Sequence, residues 1–259
     1  MNNKLKNIAR TGLVAKGIIY GIIGILTFLA AFNMGGQKAG KLQVIDFLEK
    51  QIFGQILLII IAMGLVCYAF WRLTQATKDP ENIGNDKKAK VKRAGYFISG
   101  LLYLGLGVIA FLDAIGSSSS SSSSAQKNSF LATNFGLVIL GVVGLVLVGI
   151  GIYQFTRIKK DKFEKKFSSK ALSEEKRKKT IYNSAYLGLA SRGIIFLILG
   201  YFAIKAAFTA DPNKVKTTTD VFSFLEDSSY GSWLLGIVAS GLIAYAIYTF
   251  MLAKYKRFN

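Results

Sequence analysis

Ile52–Trp71, Tyr96–Leu112, Phe135–Thr156 and Trp233–Ala253 contain no Asp, Glu, Lys or Arg. Leu13–Ala31 contains only Lys16, and Tyr186–Phe208 contains only Arg192 and Lys205. About 20 residues of helix cross the hydrocarbon core of a bilayer, and a helix satisfies its own backbone polar groups there. The sequence therefore predicts an all-α polytopic membrane bundle. Its six transmembrane helices are expected over 13–31, 52–71, 96–115, 135–156, 186–208 and 233–253. Composition agrees: 52% of the 259 residues are hydrophobic, mean hydropathy is +0.40, and 18% are charged, against about a quarter in soluble domains.

Lys4, Lys6 and Arg10 give the first span the basic start of a secretory signal. Its apolar stretch is too long for one, however, and no A-x-A-like site follows, so it is expected to remain in the membrane. The one cysteine, Cys67, falls inside the second span, which excludes an intramolecular disulfide. Histidine is absent, and with it the commonest metal ligand and the commonest general base.

The formal net charge is +19. Sorted by the six spans, 26 of the 33 Lys and Arg fall on one side, at the two termini and in the second-to-third and fourth-to-fifth connections. The 14 acidic residues divide evenly, so one face is net +19 and the other neutral. Basic connections stay in the cytoplasm, which places the chain in a bacterial inner membrane with both termini cytoplasmic. This distribution accounts for the charge without a nucleic acid. The expected partners are the bilayer and its anionic lipids at the cytoplasmic face. Protein partners are not specified, and no cofactor is expected.

The odd-numbered spans repeat one pattern: Gly12-x4-Gly17-x2-Tyr20-x3-Gly24, Gly95-x4-Gly100-x2-Tyr103-x3-Gly107 and Gly188-x4-Gly193-x2-Phe196-x3-Gly200, at constant offsets of 83 and 176. The even-numbered spans repeat as Gly64-x3-Tyr68-x3-Arg72, Gly149-x3-Tyr153-x3-Arg157 and Gly241-x3-Tyr245-x3-Thr249. Between them, Val44-x2-Phe47-Leu48-Glu49 before Phe53-Gly54 parallels Val221-x2-Phe224-Leu225-Glu226 before Tyr230-Gly231. The middle copy keeps Phe130-Leu131 and Phe135-Gly136 with one residue deleted. Three units result, 1–82, 83–165 and 166–259, each a span, a short amphipathic segment and a second span. Two spans per unit give all three the same direction, so they are expected around a pseudo-threefold axis along the membrane normal.

Ala9-Arg10-Thr11-Gly12 through Lys16-Gly17-Ile18-Ile19-Tyr20, Tyr68-Ala69-Phe70-Trp71-Arg72 through Ala76 and Asp79-Pro80-Glu81, and Ala190-Ser191-Arg192-Gly193-Ile194-Ile195-Phe196 carry a resemblance. The chain resembles, over nearly its whole length, an uncharacterised bacterial membrane-protein family, a domain of unknown function with three such repeats. The resemblance implies the fold and a cytoplasmic-membrane location, and no activity. Lys16 stands where the family tends to have arginine, and the serine run Ser117–Ser124, expected to be disordered on the outer side, is an addition.

Gly17, Tyr20 and Gly24 share one helical face, as do Gly100, Tyr103 and Gly107, and Gly193, Phe196 and Gly200. These faces are expected to form a close-packed seam at one depth near the axis, with lining of a narrow pathway as the alternative. Tyr68, Tyr153 and Tyr245 suit an interfacial belt; the alternative is that their hydroxyls bond the first helix of their own unit. Lys16 and Arg192 occupy one repeat position, filled by Ser99 in the middle copy. They are expected to snorkel to anionic headgroups, or to form a basic mouth for an anion. Asp113 and Lys205 fall within one residue of the same depth and are expected to pair. Over 159–167, Phe163 and Phe167 sit i,i+4 among lysines, which suits either a helix lying on the inner leaflet or a solvated charge run.

No paired intramembrane carboxylates, metal-ligand cluster, activated nucleophile or phosphate-binding loop is present in the sequence, so no enzyme activity is expected. The layout resembles that of the mitochondrial carriers, but the only prolines, Pro80 and Pro212, lie in connections, and no acidic–basic gate motif is present. Intramembrane polar groups amount to scattered residues such as Thr27, Ser240 and Gln154. A lipid-interacting or scaffolding module is therefore the first expectation. The alternative is a channel or transporter for a small solute, an anion among the candidates, along the pseudo-threefold axis.

Overall fold

A computed structural model describes residues 3–81, 84, 86–115, 133–159, 161, 163–211 and 214–257. Ser117–Ser124, Phe130-Leu131, Lys160, Lys162 and Pro212 lie outside them, as does the side chain of Phe135. The architecture is all-helical. Six helices are long and apolar enough to cross a membrane: α1 (Asn3–Ala31), α3 (Gly54–Thr77), α4 (Lys87–Ala114), α5 (Asn134–Lys159), α7 (Glu175–Phe208) and α9 (Gly231–Tyr255). Between them come α2 (Lys41–Glu49), α6 (Ser169–Leu172) and α8 (Thr218–Glu226). The protein is a multi-pass membrane protein.

Several helices run past the apolar stretches at the face that carries the lysines and arginines, called the basic face below. α1 begins at Asn3, α4 at Lys87 and α7 at Glu175, because Lys, Glu and Arg continue a helix well once it leaves the hydrocarbon. Asp86 starts α4 by accepting the Ala89 amide at 3.2 Å, a cap worth about 1 kcal/mol. At the opposite face α1 and α7 stop in the same way. Asn33 and Ala210 adopt positive φ (54° and 49°), and the next residues, Met34 and Asp211, return their amides to Leu29 and Ala206 at 2.9 and 3.1 Å. These bonds cap the free carbonyls of the last turn.

The short helices behave as their pattern predicts. Val44, Ile45 and Leu48 of α2, and Val221 and Phe222 of α8, turn inward and are buried. Thr217 and Asp220 cap α8 reciprocally. Lys38 pairs with Glu226 and donates to Ser223 at 3.3 Å, tying the first and third repeats together at this face.

The six spans form a ring in chain order. The most extensive pairings join one repeat to the next: α3 with α4, α5 with α7, and α9 back to α1. Within repeats α1 packs on α3 and α7 on α9, whereas α4 and α5 barely touch. Three repeats joined by three like junctions give the pseudo-threefold arrangement.

Glycine builds those junctions. A Cβ on Gly24, Gly107 or Gly200 would sit 2.7, 3.1 and 2.7 Å from Ile243, Val66 and Val148, with the Ala239, Ala62 and Gly144 carbonyls just beyond. Gly17, Gly100 and Gly193 likewise face Phe250, Leu73 and Phe155 at 2.6, 2.9 and 2.7 Å. The conserved spacing thus lets each odd span lie close on the last span of the preceding repeat, where lipid supplies no hydrophobic drive to associate. The glycines do not meet one another at the axis, contrary to the expectation from their shared face. Their close contacts are tangential, around the ring.

These contacts also correct the alignment of the even spans. Ala62, Val66 and Leu73 correspond to Gly144, Val148 and Phe155, an offset of 82, whereas the Gly64–Gly149 spacing gives 85. Three residues are nearly one helical turn, so the wrong register presents almost the same face. Ile150, and not Tyr153, therefore stands in the place of Tyr68.

Candidate functional site

On the axis itself the structure brings aromatic rings and cations together. Lys16 and Tyr20 are i,i+4 on α1, Tyr68 and Arg72 on α3, and Arg192 and Phe196 on α7, a spacing that stacks each pair on one face. The Lys16 ammonium lies 5.8, 5.0, 5.8 and 5.3 Å from the ring centres of Tyr20, Tyr68, Tyr103 and Tyr245. It donates to the Tyr68 hydroxyl at 3.1 Å. Tyr20 meets Tyr245 edge-on at 4.9 Å, and Tyr68 meets Tyr103 at 4.6 Å. Four tyrosines from four helices thus enclose one lysine, whose exposure is 6%.

Three more cations border this cage. Arg192 donates to the Tyr245 hydroxyl at 2.6 Å and lies over Tyr245, Phe196 and Tyr20 at 4.4, 5.1 and 5.2 Å. Arg72 donates to the Tyr68 hydroxyl from Nε at 2.9 Å, with Nη1 on Gln75 at 3.1 Å. Lys41, at the start of α2 on the opposite face, reaches in to 4.8 Å from the Tyr103 ring and 5.9 Å from Tyr20. Among the described residues none of these four cations forms an ion pair. Among the described residues their compensation is ring faces, tyrosine hydroxyls and the Gln75 amide oxygen, all neutral, at about 0.5–2 kcal/mol per cation–π contact. Desolvating a cation costs several.

Lys16 and Arg192 were expected to snorkel, yet both turn inward to tyrosine. Tyr68 and Tyr245, expected in an interfacial belt, are 1% and 5% exposed and bond the first helix of their own repeat. Tyr153, displaced by the register correction, is 49% exposed. Tyr20, Tyr103 and Phe196 are brought together through the cations they share. Asp113 and Lys205 do not pair with each other among the described residues. Lys205 lies 5.8 Å from the Tyr201 ring, and α4 and α7 each pack on the last span of the preceding repeat, not on each other.

The even spans hold the signal that sequence reading undervalued. Tyr-x3-Arg on α3 and its echo on α9 carry half of the cage, and their buried hydroxyls are what the cations need. Nothing in the sequence distinguishes Lys41 from an exposed lysine.

Residues 11–79, 94–157 and 187–256 each match the family model described as Domain of Unknown Function (DUF1206). The chain belongs to this family. Its three DUF1206 stretches open at or next to Gly12, Gly95 and Gly188, and the middle one is the shortest. The chain is 31% identical to the uncharacterized protein YxxB of Bacillus subtilis (strain 168), over 97% of this chain and 91% of that protein. No solved structure matches.

The DUF1206 bundle is covered at its basic face by its own connections. Phe163 and Phe167 do not lie on a leaflet surface. They are buried, with Phe163 edge-on to Tyr182, Tyr186 and Tyr248 at 5.1, 5.5 and 6.4 Å. Phe167 bridges to Lys256, and the Arg257 amide donates to the Lys166 carbonyl at 2.8 Å. Burial of each phenylalanine is worth about 1.5–3 kcal/mol, more than a solvated charge run offers. Arg157 first, then burial, hold the Lys166 ammonium well below the usual lysine range. Glu81 accepts from Lys256 at 2.6 Å and from Gln75 at 2.9 Å. Burial alone would raise its carboxyl, but the Lys256 ammonium outweighs that and holds it below the usual range.

Proposed function

We propose that the chain is a non-catalytic inner-membrane module that binds an anionic group within its bundle, its basic face and both termini in the cytoplasm. One observation carries this reading: Lys16, Lys41, Arg72 and Arg192 converge on Tyr20, Tyr68, Tyr103 and Tyr245 with no ion pair among the described residues. A buried Lys16 beside three partly buried cations, with no carboxylate paired to any of them among the described residues, is costly in a low-dielectric interior. A phosphate, sulfate or carboxylate would convert that cost into charge-assisted hydrogen bonds. The tyrosine hydroxyls can reorient to donate to it. Orientation follows from the basic connections, and anionic lipids at the basic face are the expected bilayer partners.

A second reading, passage of a small anion along the pseudo-threefold axis, is favoured by Lys41, which lines the cage from the opposite face.

Thermal unfolding of the purified chain in zwitterionic detergent, with inorganic phosphate or chloride at equal ionic strength, tests the cage. Phosphate is expected to stabilise the wild type by about 2.7 kcal/mol at a concentration 100 times its Kd. Lys16→Met is expected to be the more stable protein without phosphate, by roughly 1–4 kcal/mol, and to lose the response. A wild type indifferent to phosphate and sulfate would sink the reading. Anion efflux from liposomes that depends on both Lys41 and Arg192 would establish the axial passage.

A further inference from the structure

Among the described residues, the ring is closed everywhere but between α4 and α5. In the other repeats this seam is tight. A Cβ on Gly12 or Gly188 would lie 2.5 or 2.6 Å from the backbone of Tyr68 or Tyr245, and one on Gly64 would lie 2.3 Å from Ala15. At Gly95 a Cβ would meet nothing within 4 Å among the described residues, and Val146, which takes Gly64's place in the corrected register, is 52% exposed. Positions buried in the first repeat come open in the second. Ala15 and Ile19 become Ile98 and Leu102, 57% and 64% exposed. Ile61 and Tyr68 become, in the corrected register, Val143 and Ile150, which are also exposed. The result is an apolar slot open to the side of the bundle.

Its end at the basic face is cationic and aromatic. Tyr96 on α4 lies under Arg72 at 4.8 Å and Lys92 at 5.8 Å. On α5, Tyr153 is half exposed, and Arg157 donates to two neutral groups, Gln154 and Tyr248, at 3.1 and 3.3 Å. Lys92, Arg72 and Arg157 form no ion pair among the described residues, and the nearby carboxylate, Glu81, is engaged by Lys256 and Gln75.

We infer that the α4–α5 seam is a binding site for one anionic phospholipid of the basic-face leaflet. An acyl chain occupies the slot along Ile98, Leu102, Val143 and Ile150. The phosphate sits among Lys92, Arg72 and Arg157, and Tyr96 and Tyr153 donate at headgroup depth. The charge at the slot's end selects a lipid over a second copy of this chain, which would bring a like-charged end against it. Arg72 is shared with the border of the tyrosine cage, lying 5.0 Å from the Tyr68 ring and 4.8 Å from Tyr96, whereas Lys92, Arg157 and the apolar slot lie outside the cage, and the site stands whether or not the cage binds an anion.

The test uses the full chain in nanodiscs containing phosphatidylglycerol or phosphatidylcholine with a diazirine on the acyl chain, and adducts mapped by mass spectrometry. Phosphatidylglycerol adducts are expected to concentrate on α4 and α5. Lys92→Gln and Arg157→Gln are each expected to reduce them about fivefold relative to phosphatidylcholine, the equivalent of about 1 kcal/mol per cation near the headgroups. Gly95→Trp fills open space, so it is expected to fold as the wild type does and to abolish the α4–α5 adducts. Ile98→Trp provides a second filling variant. Adducts spread evenly over α1, α3, α7 and α9, equal yields from the two lipids, or disulfides between copies of Leu102→Cys would each overturn the site. The phosphate response of the cage is read separately and is expected to survive Gly95→Trp.

Discussion

Gly12 and Gly95 hold the same place in their repeats, yet the structure asks opposite things of them. Backbone atoms of Tyr68 stand 2.5 Å from where a Gly12 methyl would be, and they cannot swing aside as a flexible side chain can. Gly12→Ala is therefore expected to cost about 1–3 kcal/mol through a shifted α1–α3 contact. Gly95→Ala should be neutral or slightly stabilising, because alanine favours the helix by about 1 kcal/mol over glycine. Thermal unfolding in detergent, the two variants side by side, checks this. Equal losses would mean that the second repeat closes like the first. The same reading applies to the cations. Lys16 is conspicuous in sequence as a charge in an apolar span, but its role is set by four rings from α1, α3, α4 and α9, three of which lie more than 50 residues away.

The helices were legible where one face met one kind of neighbour. Six apolar runs gave six spans, and the Val44 and Val221 segments gave α2 and α8, because hydrophobic length and period state their own consequence. The basic connections were not legible. Phe163 and Phe167 read equally well as a leaflet anchor, and only the Tyr182, Tyr186 and Tyr248 rings decide for burial in the bundle end. The link from Glu81 to Lys256, 175 residues apart, leaves no local trace either. It does carry a pH signature. A carboxyl held below its ordinary value of about 4.3 contributes stability that is present above that value and lost as pH falls through the folded-state value. Acid should therefore loosen the C-terminal segment first, and Glu81→Gln should flatten that part of the profile. Hydrogen exchange at residues 252–257 across an acid titration measures it; identical profiles for wild type and variant would show that other groups govern this end.

For the whole molecule, the charge asymmetry and the closed order of the ring make one prediction. Reporter fusions after residue 81, after residue 166 and at the C-terminus should all report cytoplasm, and a fusion in the Lys38–Gly40 turn should report the other side. A fusion at Lys38–Gly40 that reports cytoplasm would invert the basic face. Threefold layout was readable because glycine offsets of 83 and 176 hold along entire spans. The three-residue slip of α5 was hidden, because one helical turn of displacement keeps the same face in view and leaves the spacing of any single motif intact.

That slip, with the slack seam beside it, gives the ring an azimuth. Three identical joints would make every direction in the plane of the bilayer equivalent, and whatever approached one joint could approach the other two as well. A single loose joint singles out one compass bearing, so the surrounding lipid meets a molecule with a front and a back. Triplication alone produces a wheel; the divergence of its middle copy cuts a doorway into the rim.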